Sequence, residues 1–217
     1  MQTHPAGTYS LGEEIANAVA HGLGTAAAIV AMTLMLVKAI PVLPAAQIAG
    51  IAVYGGSLVA LFLSSTLYHS FTHLPTKAVL KRLDHCAIFL LIAGTYTPFL
   101  MITLHTPMAQ ALLLVLWFFA IAGIIFKIFF VHKFKRASLI SYLVMGWLVV
   151  FVGRDMYRAL PAAAFNLLLI GGLSYTVGAA FYAAKQYRYT HAIWHMFVLG
   201  GAACHCVAIA VYVIPSA

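Results

Sequence analysis

Apolar residues run through this chain in long blocks broken by short polar punctuation. About 20 consecutive apolar residues suffice for a helix to cross a bilayer. The blocks predict seven spans, at about Asn17–Ile40, Ala46–Phe71, Asp84–Leu104, Met108–Val131, Leu139–Val152, Ala162–Ala184 and His191–Ile214. The fifth is the shortest. Pro41 and Pro44 bracket the first turn, and Thr106-Pro107 marks a tight one. Pro98, inside the third span, is expected to bend it. Gly171, Gly172 and Gly178 give the sixth span small side chains that allow close helix approach. Residues 1–16 form a polar arm ahead of the membrane domain, 17–217. Within the arm, Ser10-Leu11-Gly12-Glu13 reads as a capping box, and Glu14 also favours a helix start, so a short interfacial helix should lead into the first span. The predicted fold class is all-α, a seven-transmembrane helical bundle.

Composition strengthens this picture. The chain of 217 residues is 64% hydrophobic and only 7% charged, and its mean hydropathy is +1.01. A soluble domain carries about 25% charged residues, so a soluble enzyme is excluded. The net charge of +8 does not signal nucleic acid, because the basic residues fall in short clusters between apolar blocks. No nucleic-acid partner is expected. Sorting the basic residues by loop sets an orientation. Lys77, Lys81, Arg82, Lys127, Lys133, Lys135, Arg136, Lys185 and Arg188 fall on the side of the N-terminus, and only Lys38, Arg154 and Arg158 on the other. The positive-inside rule then predicts a cytoplasmic N-terminus and an outer C-terminus. Residues 1–16 lack Lys and Arg, so no signal peptide is expected. Cys86, Cys204 and Cys206 lie in apolar blocks without a C-x-x-C, which predicts free thiols.

The candidate chemistry centres on Thr190–Phe197, where His191 and His195 stand four residues apart. On a helix that spacing stacks both imidazoles on one face and supplies half of a zinc site. The predicted topology puts His69, at the end of span two, and Asp84, at the start of span three, at the same membrane depth. Three neutral imidazoles with an open fourth position make a catalytic zinc shell. Asp84 would be the base for a zinc-activated water, since Ala192 occupies the position that carries glutamate in an H-E-x-x-H motif. Ser65, one turn before His69, could donate to an oxyanion. Structural alternatives stand beside each role. The histidines could bond neighbouring helices. Asp84 could cap span three or pair with Lys81 or Arg82, and Ser65 could bond its own helix backbone. His205 is expected to be a packing or deep-cavity residue, about 15 Å along the helix from His195. Asn17 and His21 share a face near the start of span one. They could line the same cavity or join two helices. His85 should point about 100° away from Asp84. His4, His73, His105 and His132 are assigned to loops or helix ends.

Five stretches carry a family resemblance: E-E-I-A-N-A-V-A-H-G-L-G (13–24), S-S-T-L-Y-H-S-F (64–71), L-D-H-C (83–86), A-G-T-Y-T-P-F (93–99) and H-A-I-W-H-M-F-V-L-G-G (191–201). In this order they resemble the bacterial hemolysin III family, the prokaryotic branch of the progestin and adipoQ receptor group. The resemblance implies a multi-pass protein of the bacterial cytoplasmic membrane, with an intramembrane zinc near the cytoplasmic leaflet. It matches Ser65 and His69 to an S-x-x-x-H motif, Asp84 to the family's aspartate, and His191 and His195 to an H-x-x-x-H motif. The wider superfamily, which includes alkaline ceramidases, is proposed to consist of metal-dependent amide or ester hydrolases. The expected function is therefore a zinc-dependent hydrolase acting on a membrane lipid or fatty-acid-like ligand. A sensor or regulator of membrane state with a structural zinc is the competing expectation. A channel or transporter fits less well, because the few intramembrane charges gather at one face. Nothing reads as a secreted toxin or a pore.

Overall fold

The computed structural model describes residues 9–131, 133–184 and 186–216. Expectations for residues 1–8 (with His4), His132 and Lys185, and for the side chain of Lys135, lie outside the described residues. The described residues form helices and no strands. The long ones are α1 (Leu11–Ala39), α2 (Ala45–Ser70), α3 (Leu74–Pro98), α4 (Pro107–Phe130), α7 (Ala162–Ala183) and α8 (Thr190–Ala208). Between α4 and α7 lie α5 (Lys135–Trp147), a 3₁₀ turn (Leu148–Phe151) and the short α6 (Gly153–Ala159). Six helices are long and apolar enough to cross a membrane alone. Among the described residues, Arg136–Phe151 and α6 form a pair bent by 59°, which makes a seventh span when the pair is counted as one broken crossing. The protein is thus a multi-pass helical membrane protein.

Local chemistry sets the helix starts. At Ser10 the side chain accepts the Glu13 N–H while Glu13 returns a bond to the Ser10 N–H, so the capping box forms. The helix it starts, Leu11–Ala39, runs unbroken into the first span. Thr106 caps α4, and Pro107 fills its first position, where a missing N–H costs nothing. The third span begins ten residues before the expected Asp84, because Lys77, Lys81 and Arg82 join the helix instead of forming a loop. Past Pro98 the helix continues with π-type bonding from Phe99 to Thr103. Proline removes one backbone donor, and the wider turn accommodates that loss.

Helix α5 gives way to the 3₁₀ turn where Tyr96 of α3 intervenes. Its hydroxyl donates to the Gly146 carbonyl at 2.6 Å and accepts the Val149 N–H at 2.8 Å. A side chain thereby satisfies backbone groups that an uninterrupted helix would pair internally. Helix α1 packs on α2, α2 on α3, α3 on α4, α7 on α8, and α8 closes back on α1. Two polar clasps tie α1 to the last crossing. The Tyr189 N–H donates to Glu13 Oε1 at 2.8 Å at one end, and Lys38 Nζ donates to the Ala210 carbonyl at 2.7 Å at the other. Large apolar side chains such as Leu34, Leu114 and Phe118 face outward, as a lipid-exposed surface requires.

Candidate metal centre

Two helices bring the three histidines together at one end of the bundle. His69 lies in the last turn of α2, and His191 and His195 lie one turn apart at the start of α8. The start of α8 is held firmly. Tyr189 takes a left-handed backbone (φ 61°) and is clasped by Glu13, while the Thr190 hydroxyl donates to the Ala184 and Tyr187 carbonyls. One ring nitrogen from each of His69, His191 and His195 lies within 4.8 Å of the others, and all three residues are buried.

Around this triangle stand groups from other helices. The His21 ring of α1 stacks on His195 with centroids 3.6 Å apart and planes 12° from parallel. Asn17, one turn earlier, places its amide nitrogen 3.4 Å from His69 Nδ1. Glu14 Oε2 lies 2.6 Å from that same nitrogen. Tyr9 stacks on His191 at 4.7 Å and covers the site from the chain's N-terminal side. Burial pushes the Tyr9 phenol above its ordinary range, so it stays neutral.

Asp84 is buried ten residues into α3, so it cannot be that helix's N-cap. His85 Nδ1 lies 3.4 Å from Asp84 Oδ2, closer than the 100° helical offset suggested. Neighbouring long side chains can swing together across that angle. Ser57, Ser64, Thr66 and Ser70 of α2 all donate to carbonyls of their own helix. Ser65 does not: its buried hydroxyl has no hydrogen-bond partner among the described residues. An orphaned buried hydroxyl is costly in isolation and signals a missing partner.

Behind His21, which stacks on His195, an apolar cavity of about 150 Å³ opens between α3, α5, α7 and α8; the three clustered histidines do not themselves line it. His21, Asp84, Tyr182 and Trp194 line its end nearest the histidines. The cavity reaches Tyr96, Gly172 and His205, where a second cavity of about 180 Å³ continues toward Met156 and Phe165. His205 is therefore a deep-cavity residue, as expected, with Nε2 3.0 Å from the Leu168 carbonyl. His73 precedes α3 and His105 lies between α3 and α4, and neither belongs to the cluster.

A family profile described as Haemolysin-III related matches residues 9–206. The chain is 46% identical over 205 residues to Hemolysin-3 of Bacillus cereus, covering 94% of both chains. It is 46% identical over 195 residues to a Hemolysin-3 homolog of Bacillus subtilis (strain 168), covering 90% of this chain and 92% of the relative. The chain belongs to the hemolysin III family. A more distant similarity, 32% over 165 residues, links this hemolysin III protein to the human Monocyte to macrophage differentiation factor, with 72% of this chain and 67% of the relative covered. No solved structure matches.

The residues of this hemolysin III protein fit a metal. Nitrogens of a tetrahedral zinc site stand about 3.4 Å apart at ordinary bond lengths, so small ring movements would close a triangle whose sides do not exceed 4.8 Å. His69 Nε2 is buried without a hydrogen-bond partner among the described residues, as is each ring nitrogen of His195. The sequence reading brought together His69, His191, His195, Asp84 and Ser65. It missed Glu14 as a site residue and did not consider Tyr9. The signal for Glu14 was available: Glu14, Asn17 and His21 recur at i, i+3 and i+7, one helix face.

Proposed function

We propose that this protein is a zinc-containing hydrolase of the bacterial cytoplasmic membrane, cleaving an amide or ester bond in a lipid. The observation that carries this reading is three buried histidines meeting beside His21, which with Asp84 lines an apolar cavity. His69, His191 and His195 would hold the metal. Zinc in such a shell supplies a water acidified to near-neutral pKa and polarises a carbonyl.

This chain's own residues do the rest. Asp84 takes the proton of the attacking water and returns it to the leaving group. The Ser65 hydroxyl, spared from backbone bonding, donates to the oxygen that gains negative charge. The cavity accepts the acyl chain of the lipid and orients the bond to be cut. Tyr9 keeps bulk water from the N-terminal side of the site. With the N-terminus cytoplasmic, the site lies in the inner leaflet and receives its substrate from the bilayer.

Asp84→Asn tests this reading. Purified protein in lipid nanodiscs is assayed against ceramides, N-acyl amino acids and lysophospholipids. Wild type should release fatty acid, and the variant should fold, keep zinc and lose turnover by about 100-fold or more. A wild type that binds zinc but cleaves none of these, with membrane phenotypes unchanged by Asp84→Asn, would favour a regulator with a structural zinc.

A further inference from the structure

Glu14 sits at an unusual place for a helix-start carboxylate. It is in the first turn of α1, yet its side chain crosses to α2. Oε2 lies 2.6 Å from His69 Nδ1 and Oε1 accepts a bond from Lys77 Nζ at 2.8 Å. Lys77, on α3, is itself steadied by the Phe71 carbonyl at 3.3 Å and lies 5.0 Å from the centre of the Tyr68 ring. A carboxylate in this position only accepts, so Nδ1 of His69 carries the proton. The Asn17 amide nitrogen, 3.4 Å from the same Nδ1, is the more distant of its two polar neighbours, and the carboxylate at 2.6 Å decides the proton's place. Nε2 of His69, on the opposite side of the ring, is buried with no hydrogen-bond partner among the described residues. One ring nitrogen is therefore held by a carboxylate, while the other keeps an unused lone pair in a residue that clusters with His191 and His195.

We propose that Glu14 is the positioning residue of the metal centre: it fixes His69 in the Nδ1–H tautomer and aims Nε2 at the metal, with Lys77 locking the carboxylate from behind. This rests on the zinc reading above. The arrangement links α1, α2 and α3 through one hydrogen-bonded chain, Lys77–Glu14–His69. It makes the first turn of α1 part of the metal site. An outer carboxylate of this kind orients a histidine ligand and raises its basicity, and its loss costs about 10–100-fold in metal affinity.

The test compares full-length, detergent-purified wild type with Glu14→Ala, Glu14→Gln and His69→Ala. Zinc affinity is read by chelator competition. The tautomer of His69 is read in metal-free, ¹⁵N-histidine-labelled protein from two-bond proton–nitrogen correlations. Wild type should show His69 protonated at Nδ1. Glu14→Ala should bind zinc about 10–100-fold more weakly and show a mixture of tautomers. Glu14→Gln, whose side-chain carbonyl still accepts the Nδ1 proton, should keep the tautomer and recover part of the affinity. A Glu14→Ala protein with wild-type affinity and tautomer, beside a His69→Ala protein that loses zinc, overturns the role of Glu14 and leaves the zinc reading standing. Zinc binding unaffected by His69→Ala, or absent from wild type, overturns both. If Glu14→Ala does not fold, Glu14→Gln decides alone: a several-fold loss of affinity with the tautomer kept supports the assignment, and wild-type affinity overturns it.

Discussion

Ser65 separates structural from chemical roles most cleanly at the scale of single residues. Its neighbours on α2 spend their hydroxyls on backbone carbonyls, and it does not. Removing a buried hydroxyl with no partner should leave the fold at least as stable as wild type. If Ser65 donates to a developing oxyanion, Ser65→Ala should lower turnover by about 100–1,000-fold. Thermal unfolding beside fatty-acid release checks both halves, and a destabilised variant with normal turnover would contradict the assignment. The sequence made this residue and the three histidines legible because i, i+4 spacing and membrane depth can both be read from a chain. It could not show Glu14 crossing from α1 to His69. A glutamate three residues into a capped helix already has a sufficient local reason to be there, and only packing reveals a second one.

The elements were legible to the extent that hydrophobic length dictated them. Spans one, two, four, six and seven lie within a few residues of their predicted bounds, except that α1 begins earlier, at Leu11. The differences arose where polar residues serve inside a helix. Lys77, Lys81 and Arg82 look like a loop in sequence but extend α3, because long basic side chains can reach past a helix end. The short fifth span changes from α to 3₁₀ where Tyr96 supplies bonds to Gly146 and Val149, and the chain bends by 59° farther on, before Gly153. Packing between α7 and α8 yields a sharp prediction. A methyl group added at Gly171 would collide with the His205 ring and approach the Gly201 carbonyl at 3.1 Å, whereas at Gly172 it would meet nothing within 4 Å. Gly171→Ala should therefore cost about 1–3 kcal/mol and lower the melting temperature, while Gly172→Ala should be nearly silent. Equal effects at the two positions would contradict this packing.

For the whole molecule, the expected orientation and the histidine cluster concern the same end of the bundle. Sorting basic residues among loops selects one side of the membrane. Side-chain geometry gathers His69, His191, His195, Asp84 and Glu14 at that same end, with an apolar cavity running from it into the bundle. The orientation has its own check. A periplasmic reporter fused after Ala217 should be active and the same reporter fused before Met1 inactive. The reverse pattern would place the site at the outer leaflet.

The central claim is the metal itself, and its most direct test is zinc stoichiometry by mass spectrometry on protein purified without chelators, wild type beside His191→Ala and Asp84→Ala. The account predicts about one zinc per chain in wild type, its loss in His191→Ala and its retention in Asp84→Ala. Wild-type protein without bound metal, or a His191→Ala protein that keeps it, would contradict the account and leave the histidines as packing between helices.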